Sequence, residues 1–132
     1  AIATAGCASG PGMDRETNRL AGSAWRLVAI DPPGPALTIV PNPELYVLEF
    51  RDETAVRVRA DCNGCDGAYV SAGRALTISA ECPTMPCAPG SVSREFLGLL
   101  NRTGTFALAG GGKDLFVNTD GERTTLSLRR ID

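Results

Sequence analysis

The chain has 132 residues, enough for one domain with a core of its own but short enough for covalent staples to matter. Its 13 basic and 15 acidic residues are evenly spread along the sequence and give a net charge of -2, so no electrostatic footprint for nucleic acid or an anionic bilayer is expected. Histidine is absent and Lys113 is the only lysine, which excludes Ser-His-Asp and Cys-His catalysis and His-ligated zinc. A Schiff-base or Ser-Lys mechanism would rest on Lys113, which reads more simply as a solvated charge beside a turn.

The first nineteen residues read as a flexible segment, with Ala8 to Gly12 small and punctuated by proline and glycine. Ahead of it, small residues precede Cys7 and Ala8-Ser9 follows. This looks like the end of a bacterial lipoprotein signal and makes Cys7 a candidate for lipid attachment, although Thr4 stands where a large aliphatic residue is usual. The alternative is an odd free cysteine on a tail. No run of about 20 apolar residues is present, so no membrane-spanning helix is expected.

From Leu20 onward the pattern is mostly β. Ala24 to Ile30 reads as a first strand closed by Asp31-Pro32-Pro33-Gly34-Pro35. Leu45 to Phe50 and Ala55 to Arg59 form a predicted hairpin, with Val56 and Val58 facing inward and Arg57 and Arg59 outward. Tyr69 to Ser71 and Ala75 to Ser79 flank Ala72-Gly73-Arg74 as a second hairpin. Ser91 to Leu100 is the one predicted helix, with Ser91 as cap and Val92, Phe96, Leu99 and Leu100 on one face. Strands at Thr105 to Ala109, Asp114 to Asn118 and Thr124 to Arg129 follow. Their turns are Gly110-Gly111-Gly112 and Asp120-Gly121; no helix or Gly-Lys-Ser/Thr follows the glycine triplet, so it is not a phosphate loop.

Cys62, Cys65, Cys82 and Cys87 form a C-x2-C, sixteen-residue, C-x4-C pattern. Such a quartet is either two disulfides in an oxidising compartment or one tetrathiolate zinc site. Disulfides are the expectation, because the flanking strands already build a core that a zinc ribbon would lack and Pro83 and Pro86 stiffen the second arm. Asp61 and Asp66, bracketing a Cys-Asn-Gly-Cys turn, admit a carboxylate-pair or calcium reading. The plainer one is that they and Asn63 bond to local backbone N–H groups. Asn101-Arg102-Thr103 has the N-glycosylation pattern. Glu81 and Glu95 have no evident acidic partner for glycosidase chemistry. Trp25, the only tryptophan, is read as a core plug, with ligand stacking as the alternative.

Leu20, Gly22, Trp25-Arg26-Leu27, Phe50, Asp61-Cys62-Asn63 with Gly67 and Tyr69, Leu76-Thr77-Ile78, Thr84, Cys87, Glu95-Phe96-Leu97 and Leu100 occur in that order. This order resembles the META/HslJ-like domain, from about Leu20 to Arg129, so the domain is expected over 20–132 behind a 1–19 linker. The specific part is Cys-Asn-x3-Gly-x-Tyr with its downstream Thr-x2-Cys. The resemblance implies a small bacterial envelope or secreted protein, often a lipoprotein. Its implied fold is a mainly β one, a twisted antiparallel sheet curled into a half-barrel with one covering helix. It implies no enzymatic activity and no cofactor, since none is established for the domain as a class. It also implies a pairing, because members with two cysteines keep those matching Cys62 and Cys87, leaving Cys65 to pair with Cys82. Asp61 departs from the family, where glycine is common, as do the Pro83-Thr84-Met85-Pro86 loop and the Cys65 and Cys82 pair.

The expected function is a non-catalytic binding or accessory module, monomeric, periplasmic or secreted, and lipid-anchored to the outer membrane if Cys7 is acylated. Its expected partner is an envelope or extracellular protein. One alternative is a carrier of an apolar small molecule or acyl chain, with Trp25, Phe50, Phe96, Leu99 and Leu100 lining either a pocket or a core where helix meets sheet. Another is an inhibitor of a secreted hydrolase that uses the Cys82 to Cys87 loop.

Overall fold

Period-two alternation of apolar and polar residues runs through almost every strand, and it builds a wall with one dry side. The computed structural model describes residues 19–32, 37–121 and 123–131. Cys7, the Ala8 to Gly12 linker and the turn at Pro33 to Pro35 lie outside the described residues. In chain order the elements are β1 (Ser23–Asp31), β2 (Thr38–Ile39), a 3-10 turn (Pro43–Leu45), β3 (Tyr46–Phe50), β4 (Ala55–Ala60), β5 (Asn63–Ala72), β6 (Ala75–Ala80), α1 (Ser93–Leu100), β7 (Thr103–Ala109), a 3-10 turn (Gly110–Gly112), β8 (Asp114–Thr119) and β9 (Thr124–Arg130).

All pairings are antiparallel, in the order β2-β1-β3-β4-β5-β6-β7-β8-β9, and β1 also pairs with β9. The sheet is therefore a closed barrel of eight strands, with β2 continuing along β1 where β3 leaves it. This corrects the expected half-barrel. The physical reason is that Leu126 and Leu128 of β9 carry the same inward alternation as Leu27 and Ile30 of β1, and the two strands meet across Leu27↔Leu128 and Ile30↔Leu126. Closure removes the exposed edges that an open sheet would leave, and eight strands enclose a space that side chains can fill. Pairing between the two ends of the chain is non-local, so strand periodicity alone does not reveal it.

The inward positions form one core, including Trp25, Leu27, Leu48, Phe50, Val58, Tyr69, Ile78, Leu115, Val117 and Leu126, each at most 3% exposed. Helix α1 lies across the barrel end where β3 and β5 begin and β6 finishes. Three contacts fix it there: Tyr46 Oη accepts from Val92 N–H at 3.1 Å, Asn63 Nδ2 donates to Ser93 Oγ at 2.9 Å, and Asn101 bonds to Ala80. Its apolar face, Phe96, Leu97, Leu99 and Leu100, plugs that end and joins the core. The helix starts at Ser93, two residues later than the sequence indicates; Ser91 Oγ still accepts from Ser93 N–H at 3.1 Å.

Candidate functional site: the stapled arm and its amide latch

The cysteine segment is a strand, not the turn expected from its composition. The reversal is confined to Asp61-Cys62, and β5 begins at Asn63. Asp61 has φ 59°, a left-handed conformation that glycine adopts freely and that Asp tolerates better than most residues. From Asn63 the strand alternates, so Asn63, Cys65, Gly67 and Tyr69 share the inner side. Each has a distinct task.

Gly67 stands opposite Ala80 of β6. A Cβ there would fall on the Ser79 carbonyl oxygen and within 2.7 Å of the Ala80 Cβ, so only glycine fits without moving backbone. Tyr69 packs its ring edge against Phe50, with centroids 4.8 Å apart, and donates its hydroxyl to the Asp52 carbonyl at 2.6 Å. Burial pushes the Tyr69 phenol above its ordinary value of 10.0, and the charges of Asp52 and Glu53 add to that.

Asn63 is the buried polar centre of the site, at 3% exposure. Its Oδ1 accepts from Met85 N–H at 3.0 Å, and its Nδ2 donates to the Met85 carbonyl at 3.0 Å and to Ser93 Oγ at 2.9 Å. The expected local Asx bonding is therefore corrected: this amide reaches 22 residues along the chain and latches the arm to the barrel. Asp66 does not bond locally either. It faces outward and pairs with Arg57 of β4 at 3.1 Å, an exposed ion pair of small energetic worth.

The arm runs from Glu81 toward α1 and is stapled to β5 and its preceding turn. Cys62 bonds to Cys87 and Cys65 to Cys82, with Cα separations of 5.7 and 5.1 Å. This is the nested arrangement implied by the resemblance, and the cysteines are joined in two pairs. Cys62 N–H donates to Cys87 Sγ at 3.3 Å. Between the staples, Met85 has both backbone polar groups fixed by Asn63 while the residue as a whole is 58% exposed.

Other candidates fall apart in space or into structural roles. Trp25, Phe50, Phe96, Leu99 and Leu100 are all buried members of the single core. The Trp25 indole donates to Ser23 Oγ at 2.7 Å, and Arg130 lies 5.7 Å from its ring centre. Asn101 spends its amide on Ala80: Oδ1 accepts from Ala80 N–H and Nδ2 donates to its carbonyl, at 3.0 and 2.9 Å. Among the described residues, no group of three or more Cys, Asp or Glu is placed to hold a metal ion, and no helix is long and apolar enough to cross a membrane. Sequence reasoning missed Asn63 as the latch. The spacing Asn63, Cys65, Gly67, Tyr69 was the available signal, since period two places all four on one side of a strand.

A closed eight-stranded barrel plugged by a helix, with an arm held by two disulfides, defines a small domain built for an oxidising, extracytoplasmic compartment. The META domain matches residues 18–131, and the chain belongs to that family. Among solved structures, the chain is similar to an NMR structure of a protein from Burkholderia xenovorans, with 19% identity, a TM-score of 0.69, and 89% of this chain and 87% of that one covered. It is also similar to the crystal structure of a DUF4847-family protein from Bacteroides vulgatus, with 14% identity, a TM-score of 0.63, and 83% of this chain and 93% of that one covered. Both likenesses concern the fold alone. No curated protein gives a significant match.

Proposed function

We propose that the protein is a non-catalytic binding module of the bacterial envelope or secreted fraction, engaging a protein partner through the stapled arm. The observation that carries this reading is Met85: a flexible apolar side chain offered to solvent from a backbone clamped by Asn63 and bracketed by two disulfides. Surface methionine adapts to irregular apolar partners, and a pre-fixed backbone lowers the ordering cost of binding. The filled interior favours the outer surface over a carrier's cavity as the working face. Acylation of Cys7 would tether the module to the outer membrane, and Cys7→Ser would then release it to the soluble fraction with unchanged melting behaviour.

The test is a photo-crosslinking residue at position 85, with position 70, an exposed valine on β5, as control, in cells of the native host. An adduct of discrete mass from position 85 alone, abolished by Asn63→Ala, is the expected result. Equal labelling from both positions, or a stoichiometric apolar molecule in native mass spectra of the purified protein, rejects this reading, the latter in favour of a carrier. A second reading, inhibition of a secreted hydrolase, draws on the same clamped backbone, because an inserted inhibitory loop must resist deformation. It requires the adduct at position 85 to be a hydrolase whose activity falls on binding.

A further inference from the structure

The strand register sets two charged rows side by side on the outside of the barrel. In one, Glu49 of β3, Arg57 of β4 and Asp66 of β5 are successive cross-strand partners, so the signs alternate. The other runs Arg59, Val47, Arg26, Arg129, Asp114 across β4, β3, β1, β9 and β8. Here Arg26 and Arg129 stand directly opposite each other, a placement that is destabilising for like charges. The one acid of that row, Asp114, is engaged by Arg129 Nε at 3.0 Å.

A second observation points the same way. The Nε atom of Arg26 is buried and has no hydrogen-bond partner among the described residues. A guanidinium cannot shed its charge, and a desolvated donor without an acceptor is costly to keep. Arg26 lines a concavity of about 580 Å³ together with Val28, Pro43, Lys113, Arg129 and Arg130. Four of these six residues are cations, in a chain whose net charge is -2. Among the described residues, Arg26, Lys113 and Arg130 have no carboxylate partner.

We propose that this concavity binds a phosphate-type oxyanion, with Arg26 as its principal donor and Lys113 and Arg129 contributing charge. An oxyanion in the concavity bonds to the Arg26 guanidinium and offsets the repulsion across Arg26 and Arg129; the guanidinium fork matches two oxygens of a phosphate. The concavity is larger than the anion, and Val28 and Pro43 offer apolar surface to the carbons that carry it. The phosphate can arrive on a small soluble ester or as a lipid headgroup.

The test titrates inorganic phosphate into the full-length protein while following the Arg26 Nε–H resonance and the melting temperature. In parallel, sedimentation with phosphatidylglycerol vesicles is compared with phosphatidylcholine vesicles. Wild type is expected to shift the Arg26 resonance and gain melting temperature with phosphate, an effect that weakens as salt is added. Arg26→Gln should weaken binding about tenfold or more, Lys113→Gln by a smaller factor, and Arg57→Gln, in the charge-balanced row, should leave it unchanged. Without phosphate, Arg26→Gln should melt no lower than wild type, because it removes the orphaned donor and the like-charge contact; a merely structural arginine would show the reverse. Binding to phosphatidylglycerol vesicles alone identifies the headgroup as the source, and binding to phosphate alone identifies a soluble ester. If neither ligand perturbs the protein, or if Arg57→Gln loses as much as Arg26→Gln, the proposal is overturned.

Discussion

The barrel is closed at two junctions by different means. Where β1 meets β9, six residue pairs from Trp25↔Arg130 to Asp31↔Thr125 form a backbone ladder, interrupted only by an irregularity between Leu27 and Ala29. Where β6 meets β7, a single register pair, Ala75↔Thr105, is supplemented by the Phe106 N–H to the Arg74 carbonyl at 2.9 Å. Beyond that point side chains stand in for the missing strand: Thr103 Oγ1 accepts from Ile78 N–H, and the Asn101 amide pairs with both polar groups of Ala80. The chain leaves the barrel here to make the arm and α1, and both disulfides and the Asn63 latch lie on this detour. A ladder of backbone bonds tolerates many sequences, whereas a junction sealed by side chains depends on particular residues.

Removing the plug tests that difference most severely. Phe96 is fully buried and meets Tyr46 edge-on at 6.3 Å, so Phe96→Ala should cost about 3 to 5 kcal/mol in denaturant unfolding. Native-state hydrogen exchange should accelerate at Ile78 and Ala80 before it does at Leu27 and Leu128, and the wild type should take up no apolar fluorescent probe. Simultaneous opening of both junctions would dissolve the comparison. A small stability loss accompanied by altered probe uptake would instead place Phe96 on a ligand cavity.

Next in size is the outer staple. Cys62 and Cys87 enclose a separation of 25 residues, and loss of that cross-link by a double serine substitution should cost on the order of 3 kcal/mol on the chain-entropy model. The nested Cys65–Cys82 bridge, with a separation of 17, should cost less once the outer one is present. Chemical unfolding of the two double variants ranks them, and an inner bridge that matters more would contradict the nesting argument.

A milder pair of substitutions sets the amide-sealed β6–β7 seam against a side-chain bond across β8–β9, beside the laddered junction. Asn101→Ala leaves the N–H and carbonyl of Ala80 without their side-chain partner and should cost about 1 to 3 kcal/mol. Thr125→Val, on β9, removes only a hydroxyl bond to Asn118 Oδ1 and leaves the β1–β9 backbone ladder in place, so about 0.5 to 1.5 kcal/mol is expected. Equal costs would mean that the β6–β7 seam does not depend on its amide.

The same contrast explains what the sequence made legible. Strands with clean alternation, such as Val56 and Val58 against Arg57 and Arg59, were readable because burial imposes period two on each strand separately. The hairpin at Asp120-Gly121 was readable because both residues take positive φ, of 54° and 69°. Closure was not readable, since it depends on a pairing between the first and last long strands that leaves no local mark. Asn63 was misread because Asn, Gly and Asp around it carry turn propensity, and the disulfides and close packing at Gly67 override that propensity to hold a strand. The short β2 and the Pro43–Leu45 turn escaped for want of length, as two or three residues show no periodicity.

The smallest effect concerns pH, and it belongs to neither junction. Asp52, in the turn between β3 and β4, accepts the backbone N–H groups of Thr54 and Ala55, each at 2.8 Å, and these hold its carboxyl below the ordinary value of 3.8. Because the folded chain binds this proton less readily than the unfolded chain, its contribution is present above that value and is lost as pH falls through the lower folded one. Asp52→Asn keeps an acceptor but cannot titrate, so its melting temperature should fall less steeply than wild type below about pH 4. Tyr69 mirrors this at the alkaline end: its raised folded value means that stability present below 10.0 is lost as pH rises through the higher one, and Tyr69→Phe should flatten that decline. Both groups lie at the β3–β4 turn, the Asp52 carboxylate on the Thr54 and Ala55 N–H groups and the Tyr69 hydroxyl on the Asp52 backbone carbonyl, so neither titration should change the order in which the two junctions exchange. If acid selectively released Ile78 and Ala80, the β6–β7 seam would contain a titrating group, contrary to its closure by Thr103 and Asn101, neither of which carries a charge.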